Sequence, residues 1–183
     1  MKFKRTERIG AIVKILSDNP NKIYTLSYFT ETFNAAKSTI SEDLLVVKNV
    51  FEKLQLGKVI TISGAAGGVK YIPKTSIQEN QNFLMELCEK ISSPDRILSG
   101  GFLYLIDLIY DPTIVSKIGK IFASNIDYSD ADYVVTMETK GIPMALMTAK
   151  AMNLPLVIIR KDMKVSEGST LSMTYVTGDN SKV

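Results

Sequence analysis

Two apolar segments of strand length flank a helix-forming stretch, and this strand–helix–strand pattern constrains the fold more than any other feature of the chain. Tyr133-Val134-Val135-Thr136-Met137 comes first, and Leu154-Pro155-Leu156-Val157-Ile158-Ile159 follows it. Between them, Met144-Ala145-Leu146-Met147-Thr148-Ala149-Lys150-Ala151-Met152 is rich in strong helix formers, with Pro143 at an early helical position and Asn153 as its stop. A helix of that length can serve as the crossover between two parallel strands. The second strand is a nearly continuous apolar run, which suits a strand covered on both faces by helices. The expected class is therefore α/β.

Both strands end in small basic turns. The first is Glu138-Thr139-Lys140-Gly141-Ile142, and the second is Arg160-Lys161-Asp162-Met163-Lys164 followed by Val165-Ser166-Glu167-Gly168-Ser169-Thr170. Where a strand stops and a helix begins, backbone N–H groups and the positive end of the helix dipole converge on an anion. Ligands of open α/β sheets lie at the carboxyl ends of the strands. Lys140, Arg160, Lys161 and Lys164 are thus delivered to one edge, a pattern suited to a phosphorylated small ligand. Each turn by itself also reads as an ordinary solvated loop.

Charge divides the chain. Residues 1–74 carry 12 Lys or Arg against 6 Asp or Glu, a net +6, whereas residues 75–183 carry 10 against 13, a net −3. This asymmetry argues for two domains, the basic one facing a polyanion. The break falls at Pro73-Lys74-Thr75-Ser76.

The basic part has its own periodicity. Ile9, Ile12, Val13 and Leu16 lie on one face of a first helix, which Asn19-Pro20-Asn21 ends; Leu26, Phe29 and Phe33 mark a short second one. After Asn34-Ala35-Ala36-Lys37, Thr39 and Glu42 have capping-box spacing, and Ile40, Leu44, Val47, Phe51 and Leu54 continue an apolar face. Three helices with a tight turn before the third resemble a helix-turn-helix. Lys58–Ser63 and Gly68–Ile72 read as two strands joined by Gly64-Ala65-Ala66-Gly67, the hairpin of a winged helix. That glycine run lacks the Gly-Lys-Ser/Thr ending of a P-loop and precedes a strand, not a helix. On the DNA reading, Lys37, Ser38, Thr39 and Ser41 reach the major groove while Lys2, Lys4, Arg5 and Arg8 bind phosphates. The alternative is that Ser38 and Thr39 only cap the helix and the basic residues only solubilise it, which leaves the +6 balance unexplained.

Composition removes several classes. With no histidine and one cysteine, the usual Cys/His zinc sites lack their ligands and histidine-based catalysis has no base to draw on. Cys88 falls in the apolar pattern Phe83, Leu84, Leu87, Ile91 and is expected in the core. Lys14 and Asp18 interrupt the apolar run that a secretory segment would need, and no run approaches the roughly 20 residues of a membrane span. A cytoplasmic protein is expected.

Lys37-Ser38-Thr39-Ile40-Ser41-Glu42-Asp43 and Gly64-Ala65-Ala66-Gly67-Gly68-Val69-Lys70-Tyr71 resemble the winged-helix domain of the purine operon repressors of Gram-positive bacteria. Ser99-Gly100-Gly101-Phe102, Thr139-Lys140-Gly141-Ile142-Pro143 and Arg160–Thr170 resemble that family's type I phosphoribosyltransferase-like domain. The resemblance implies a winged helix over 1–74, with Lys70 in its DNA-binding wing. A doubly wound parallel sheet over 75–183 would then bind effector and dimerise. It further implies a homodimer that binds double-stranded operator DNA upstream of purine biosynthesis genes and senses phosphoribosyl pyrophosphate without catalysis, with no metal. Lys140 and its turn correspond to the family's pyrophosphate loop, and Arg160–Thr170 to its flexible loop. Guanosine polyphosphate alarmones competing for that pocket are implied by resemblance alone.

Three departures accompany the resemblance. The family's acidic pair and glycine-ended loop, of the form Asp-Asp-Phe-Met-Lys-Ala-Gly-Gly, grips ribose and 5-phosphate and has no counterpart before Val183, so the chain is expected to stop short of the family's length. Phe102 stands where the family commonly has tyrosine, and Glu138 where relatives often have a small residue. A catalytic purine phosphoribosyltransferase with an accessory nucleic-acid-binding domain is the alternative function.

Overall fold

A computed structural model of the chain describes residues 3–64, 67–162, 168 and 170–173. Its first half runs α1 (Arg5–Asp18), β1 (Ile23–Tyr24), α2 (Leu26–Phe33), α3 (Lys37–Lys53), β2 (Gly57–Ile62) and β3 (Gly68–Pro73). The expected helical spacings become one core, in which Ile12, Leu16, Phe29, Phe33, Ile40, Val47 and Phe51 are buried. Each such side chain contributes about 1.5–3 kcal/mol by leaving water. Leu54, expected on the same face, is 63% exposed, because α3 ends at Lys53 and Leu54 only caps it.

Local signals set the helix ends. Thr25 Oγ1 accepts the Tyr28 N–H at 3.1 Å to start α2, and Asn34 ends it in the left-handed region at φ 46°. Only Asn34, Ala35 and Ala36 separate α2 from α3. This short link starts α3 at Lys37 with Ala36 as its N-cap, so the expected Thr39–Glu42 capping box does not form: Thr39 already lies inside the first turn. The hairpin forms as expected, with Val59 opposite Tyr71 and Ile62 opposite Gly68; Ala65 and Ala66 at its tip lie outside the described residues. Strand order is β1-β3-β2, all antiparallel. The two-residue β1 was not anticipated, since it is too short to show a period of two. Helix-turn-helix and hairpin together make this half winged-helix-like.

The second half comprises α4 (Ile77–Ile91), a 3-10 turn (Pro94–Arg96), α5 (Ile106–Ile109), α6 (Pro112–Asn125), β4 (Val134–Met137), α7 (Ile142–Met152) and β5 (Leu156–Ile159). No residue of α4 is buried, and Cys88 is exposed, contrary to the core position expected for it. Its apolar stripe meets few partners among the described residues. By contrast α6 packs tightly on α7: a Cβ added at Gly119 would stand 2.6 Å from the Met147 carbonyl carbon.

Strands β4 and β5 pair in parallel, Val134 with Leu156 through Met137 with Ile159, and α7 is the crossover. Asn153 ends α7 in the left-handed region, as its position after the helix formers suggested. Burial alternates along both strands, leaving Val135, Met137, Val157 and Ile159 exposed. Among the described residues the parallel sheet therefore has helix cover on one face, not on both. Among the described residues the Asn21 side-chain amide joins the halves by donating to the Ala151 carbonyl at 2.7 Å, and just past the boundary the Thr75 and Ser124 hydroxyls meet at 3.0 Å. Among the described residues no helix is long and apolar enough to cross a membrane.

Candidate nucleic-acid interface and anion turn

The N-terminal end of α3 presents Lys37, Ser38 and Ser41 to solvent, with Thr39 half-buried beside them. Ala36 has no side chain able to cap, so the orphan N–H groups of the first turn add their partial positive charge to that of Lys37. The Ser41 hydroxyl donates to the Lys37 carbonyl at 2.9 Å, which holds it against its own helix until a partner competes. This is the geometry that a recognition helix needs: an exposed, cationic, donor-rich first turn on a helix of 17 residues whose opposite face is fixed in the core. Lys70 lies half-buried on β3 next to the hairpin tip, opposite Ile60.

The basic residues of α1 divide into two groups. Lys4 and Arg5 are exposed, and the Lys4 backbone N–H donates to the Glu7 carboxylate at 2.7 Å. Arg8 is turned inward, its side chain only 11% exposed: Nε donates to Asp43 Oδ2 at 2.7 Å and Nη1 to the Phe3 carbonyl at 3.0 Å. Asp43, on α3, is 1% exposed. Arg5 Nε lies 3.4 Å from the second oxygen, close enough for Coulomb attraction but not aligned as a hydrogen bond, so Oδ1 lacks a hydrogen-bond partner. The pair pins α1 across α3, a role for Asp43 that its sequence position did not reveal. Lys2 lies outside the described residues.

At the other end, β4 delivers Glu138, Thr139, Lys140 and Gly141 in succession, with Thr139 and Lys140 exposed and Gly141 as the N-cap of α7. A Cβ at Gly141 would stand 3.0 Å from Thr136 Oγ1, so the turn sits directly on its strand. Its neighbour β5 delivers Arg160 and Lys161. Glu138 clasps them: its carboxylate accepts from Arg160 Nη1 at 3.2 Å and from the Lys161 backbone N–H at 2.9 Å. The Glu138 N–H donates to the Ile159 carbonyl at 3.0 Å. The two turns thus meet at one sheet edge, as the parallel pattern required. Lys164, with Met163, Val165–Glu167 and Ser169, lies outside the described residues.

Phe102 stands apart. Its ring is 73% exposed, on a loop closed by the Leu98 N–H to the Phe102 carbonyl at 2.7 Å and clamped by Arg96 on Asp107 at 2.8 Å. The Arg96 guanidinium holds the Asp107 carboxyl below the usual carboxylate range. Among the described residues no cation–π contact joins the Phe102 ring to Lys140. No cluster of His, Cys, Asp or Glu among them could hold a metal ion.

A helix-turn-helix with a hairpin, carrying an exposed cationic first turn and joined to a parallel βαβ unit, defines a protein of winged-helix-like class. Residues 4–73 match the family described as bacterial purine repressor, N-terminal. The chain is 44% identical over 183 residues, 100% of its length, to the purine biosynthesis transcriptional repressor PurR of Bacillus subtilis (strain 168), covering 64% of that protein. It is 38% identical over 181 residues to the purine biosynthesis transcriptional activator PurR of Lactococcus lactis subsp. lactis (strain IL1403), 99% of this chain and 67% of that one. A xanthine phosphoribosyltransferase of Agathobacter rectalis is 33% identical over 97 residues, 51% of this chain and 50% of the enzyme. The chain belongs to the family of bacterial purine biosynthesis transcriptional regulators, as its motifs implied. These two relatives, matched along all or nearly all of this chain, are named as regulators and not as enzymes, and it spans about two thirds of their length.

Proposed function

We propose that this chain reads DNA and a phosphorylated effector as part of a non-catalytic transcription regulator of purine biosynthesis genes. The observation that carries the reading is the α3 first turn, where Lys37, Ser38 and Ser41 are exposed on a helix locked from behind by Ile40, Leu44 and Val47. Those side chains contact base edges in operator DNA, with Thr39 alongside. Lys2, Lys4, Arg5 and the wing residue Lys70 lie along phosphates, and Arg8 supports them from within. Residues 75–183 hold the effector, phosphoribosyl pyrophosphate, at Thr139, Lys140, Gly141, Arg160 and Lys161, with Lys164 and Phe102 as the further effector contacts that the family resemblance implies. They form part of a phosphoribosyltransferase-like, doubly wound domain that pairs two chains into a cytoplasmic homodimer. Guanosine polyphosphates compete for the same anion turn.

Fluorescence anisotropy on a duplex from upstream of purine biosynthesis genes tests this. Binding at least about a thousandfold tighter than to a shuffled duplex is expected, with log affinity falling against log salt by about 0.9 per phosphate neutralised. Equal affinity for both duplexes would overturn the reading. Similarity of half the chain to a xanthine phosphoribosyltransferase favours a second reading, a catalytic transferase. Pyrophosphate release from phosphoribosyl pyrophosphate and a purine base would establish that alternative.

A further inference from the structure

We infer that Glu138 is a built-in anion that occupies the phosphate position of the effector turn, so that a phosphorylated ligand binds by displacing this carboxylate from Arg160 and the Lys161 amide. The inference rests on the proposed effector reading of that edge. Its basis is the register. Met137 pairs with Ile159, so the next residue of each strand, Glu138 and Arg160, emerges at the same level of the sheet edge. There the carboxylate takes one oxygen to the guanidinium at 3.2 Å and the other to the Lys161 backbone N–H at 2.9 Å. Both side chains are largely covered, at 26% and 22% exposure.

A guanidinium fork beside a backbone N–H is the donor set that phosphate oxygens also seek. Glu138 fills it with an acceptor of similar geometry and about half to two thirds of the charge of a phosphate monoester. Its immediate neighbours, the exposed Thr139 and Lys140 and the N-terminus of α7, stand at the same edge and bring N–H donors and one cationic side chain, so the local charge without ligand is partly neutralised from inside. A single phosphate has little advantage over a carboxylate already in place. A pyrophosphate-bearing ligand does, because it brings a second anionic group to Lys140 and the Gly141 turn while the first replaces Glu138. The clasp therefore discriminates in favour of diphosphate groups over monophosphates.

Isothermal titration of the full chain with inorganic pyrophosphate and inorganic phosphate tests this, comparing wild type with Glu138→Gln and Arg160→Ala. Glutamine keeps the shape and an acceptor for the Lys161 N–H but removes the charge. Glu138→Gln is expected to bind both anions more tightly, pyrophosphate by roughly tenfold, the scale of one charge-assisted hydrogen bond, and to narrow the preference for pyrophosphate over phosphate. Arg160→Ala is expected to abolish binding. If Glu138→Gln binds as wild type or more weakly, the carboxylate positions Arg160 and the inference fails while the effector reading stands. If neither wild type nor Glu138→Gln binds pyrophosphate, the effector reading fails with it. Glu138→Ala, checked for native circular dichroism, repeats the comparison should the glutamine variant not fold.

Discussion

Asn21 holds the two halves of the chain together through Ala151. Its side-chain amide donates to the Ala151 carbonyl in the last turn of α7 at 2.7 Å, while its backbone N–H donates to Tyr71 on β3 at 2.8 Å. One residue therefore ties the helix that starts at the anion turn to the strand that carries Lys70. It does so from the left-handed region, at φ 63°. Asn21→Gly keeps that backbone accessible and removes only the amide, so a loss of about 1 kcal/mol is expected. Asn21→Ala should lose about 1–2 kcal/mol more, the cost of a Cβ at positive φ. Thermal unfolding of both variants measures this. A glycine variant as stable as wild type would mean that the bond to Ala151 contributes nothing.

Arg8 and Asp43 form the buried pair of the winged-helix-like half. Arg8→Ala strands a nearly inaccessible carboxylate, and a loss of about 3–5 kcal/mol in urea unfolding is expected. Replacing both partners by Met and Leu should cost far less, because no charge is then left buried. A small stability loss in Arg8→Ala together with a large loss of DNA affinity would place Arg8 on the phosphate backbone instead.

The α6–α7 contact depends on Gly119. Gly119→Ala forces a methyl against the Met147 backbone and should destabilise the chain by about 1–3 kcal/mol. Gly10→Ala is the control, since nothing lies within 4 Å of its added Cβ on the exposed side of α1. There a gain of up to about 1 kcal/mol is expected from helix propensity. Equal shifts at the two positions would show that the helix contact is looser than its geometry.

What the sequence carried was periodicity and punctuation. Ile12 with Leu16, Ile40 with Val47, and the apolar runs around Val134 and Val157 announced their elements because each spacing has one regular structure that buries it. Asn153 likewise announced its helix end. Other features were hidden. Cys88 sits in a good helical pattern, yet the pattern does not say whether anything covers it, and α4 buries none of its residues. Thr39 and Glu42 had the right spacing for a capping box, but the αL turn at Asn34 started the helix two residues before Thr39. The start of α6 was readable in Asp111-Pro112, whose carboxylate accepts the Thr113 N–H at 2.8 Å. The Arg8–Asp43 pair, 35 residues apart, and the Glu138 clasp, which depends on strand register, exist only once the chain has folded.

The most direct test of the central claim, that the first turn of α3 reads DNA, is the salt dependence of binding to the purine-gene duplex for wild type and for Lys37→Ala/Ser38→Ala. Both substituted side chains are exposed, so the double variant should unfold within about 0.5 kcal/mol of wild type. Its affinity is expected to fall by about 1–3 kcal/mol, and if Lys37 also neutralises a phosphate its log–log salt slope should be shallower by about 1. An unchanged midpoint and an unchanged slope would contradict the assignment of α3 as the recognition helix.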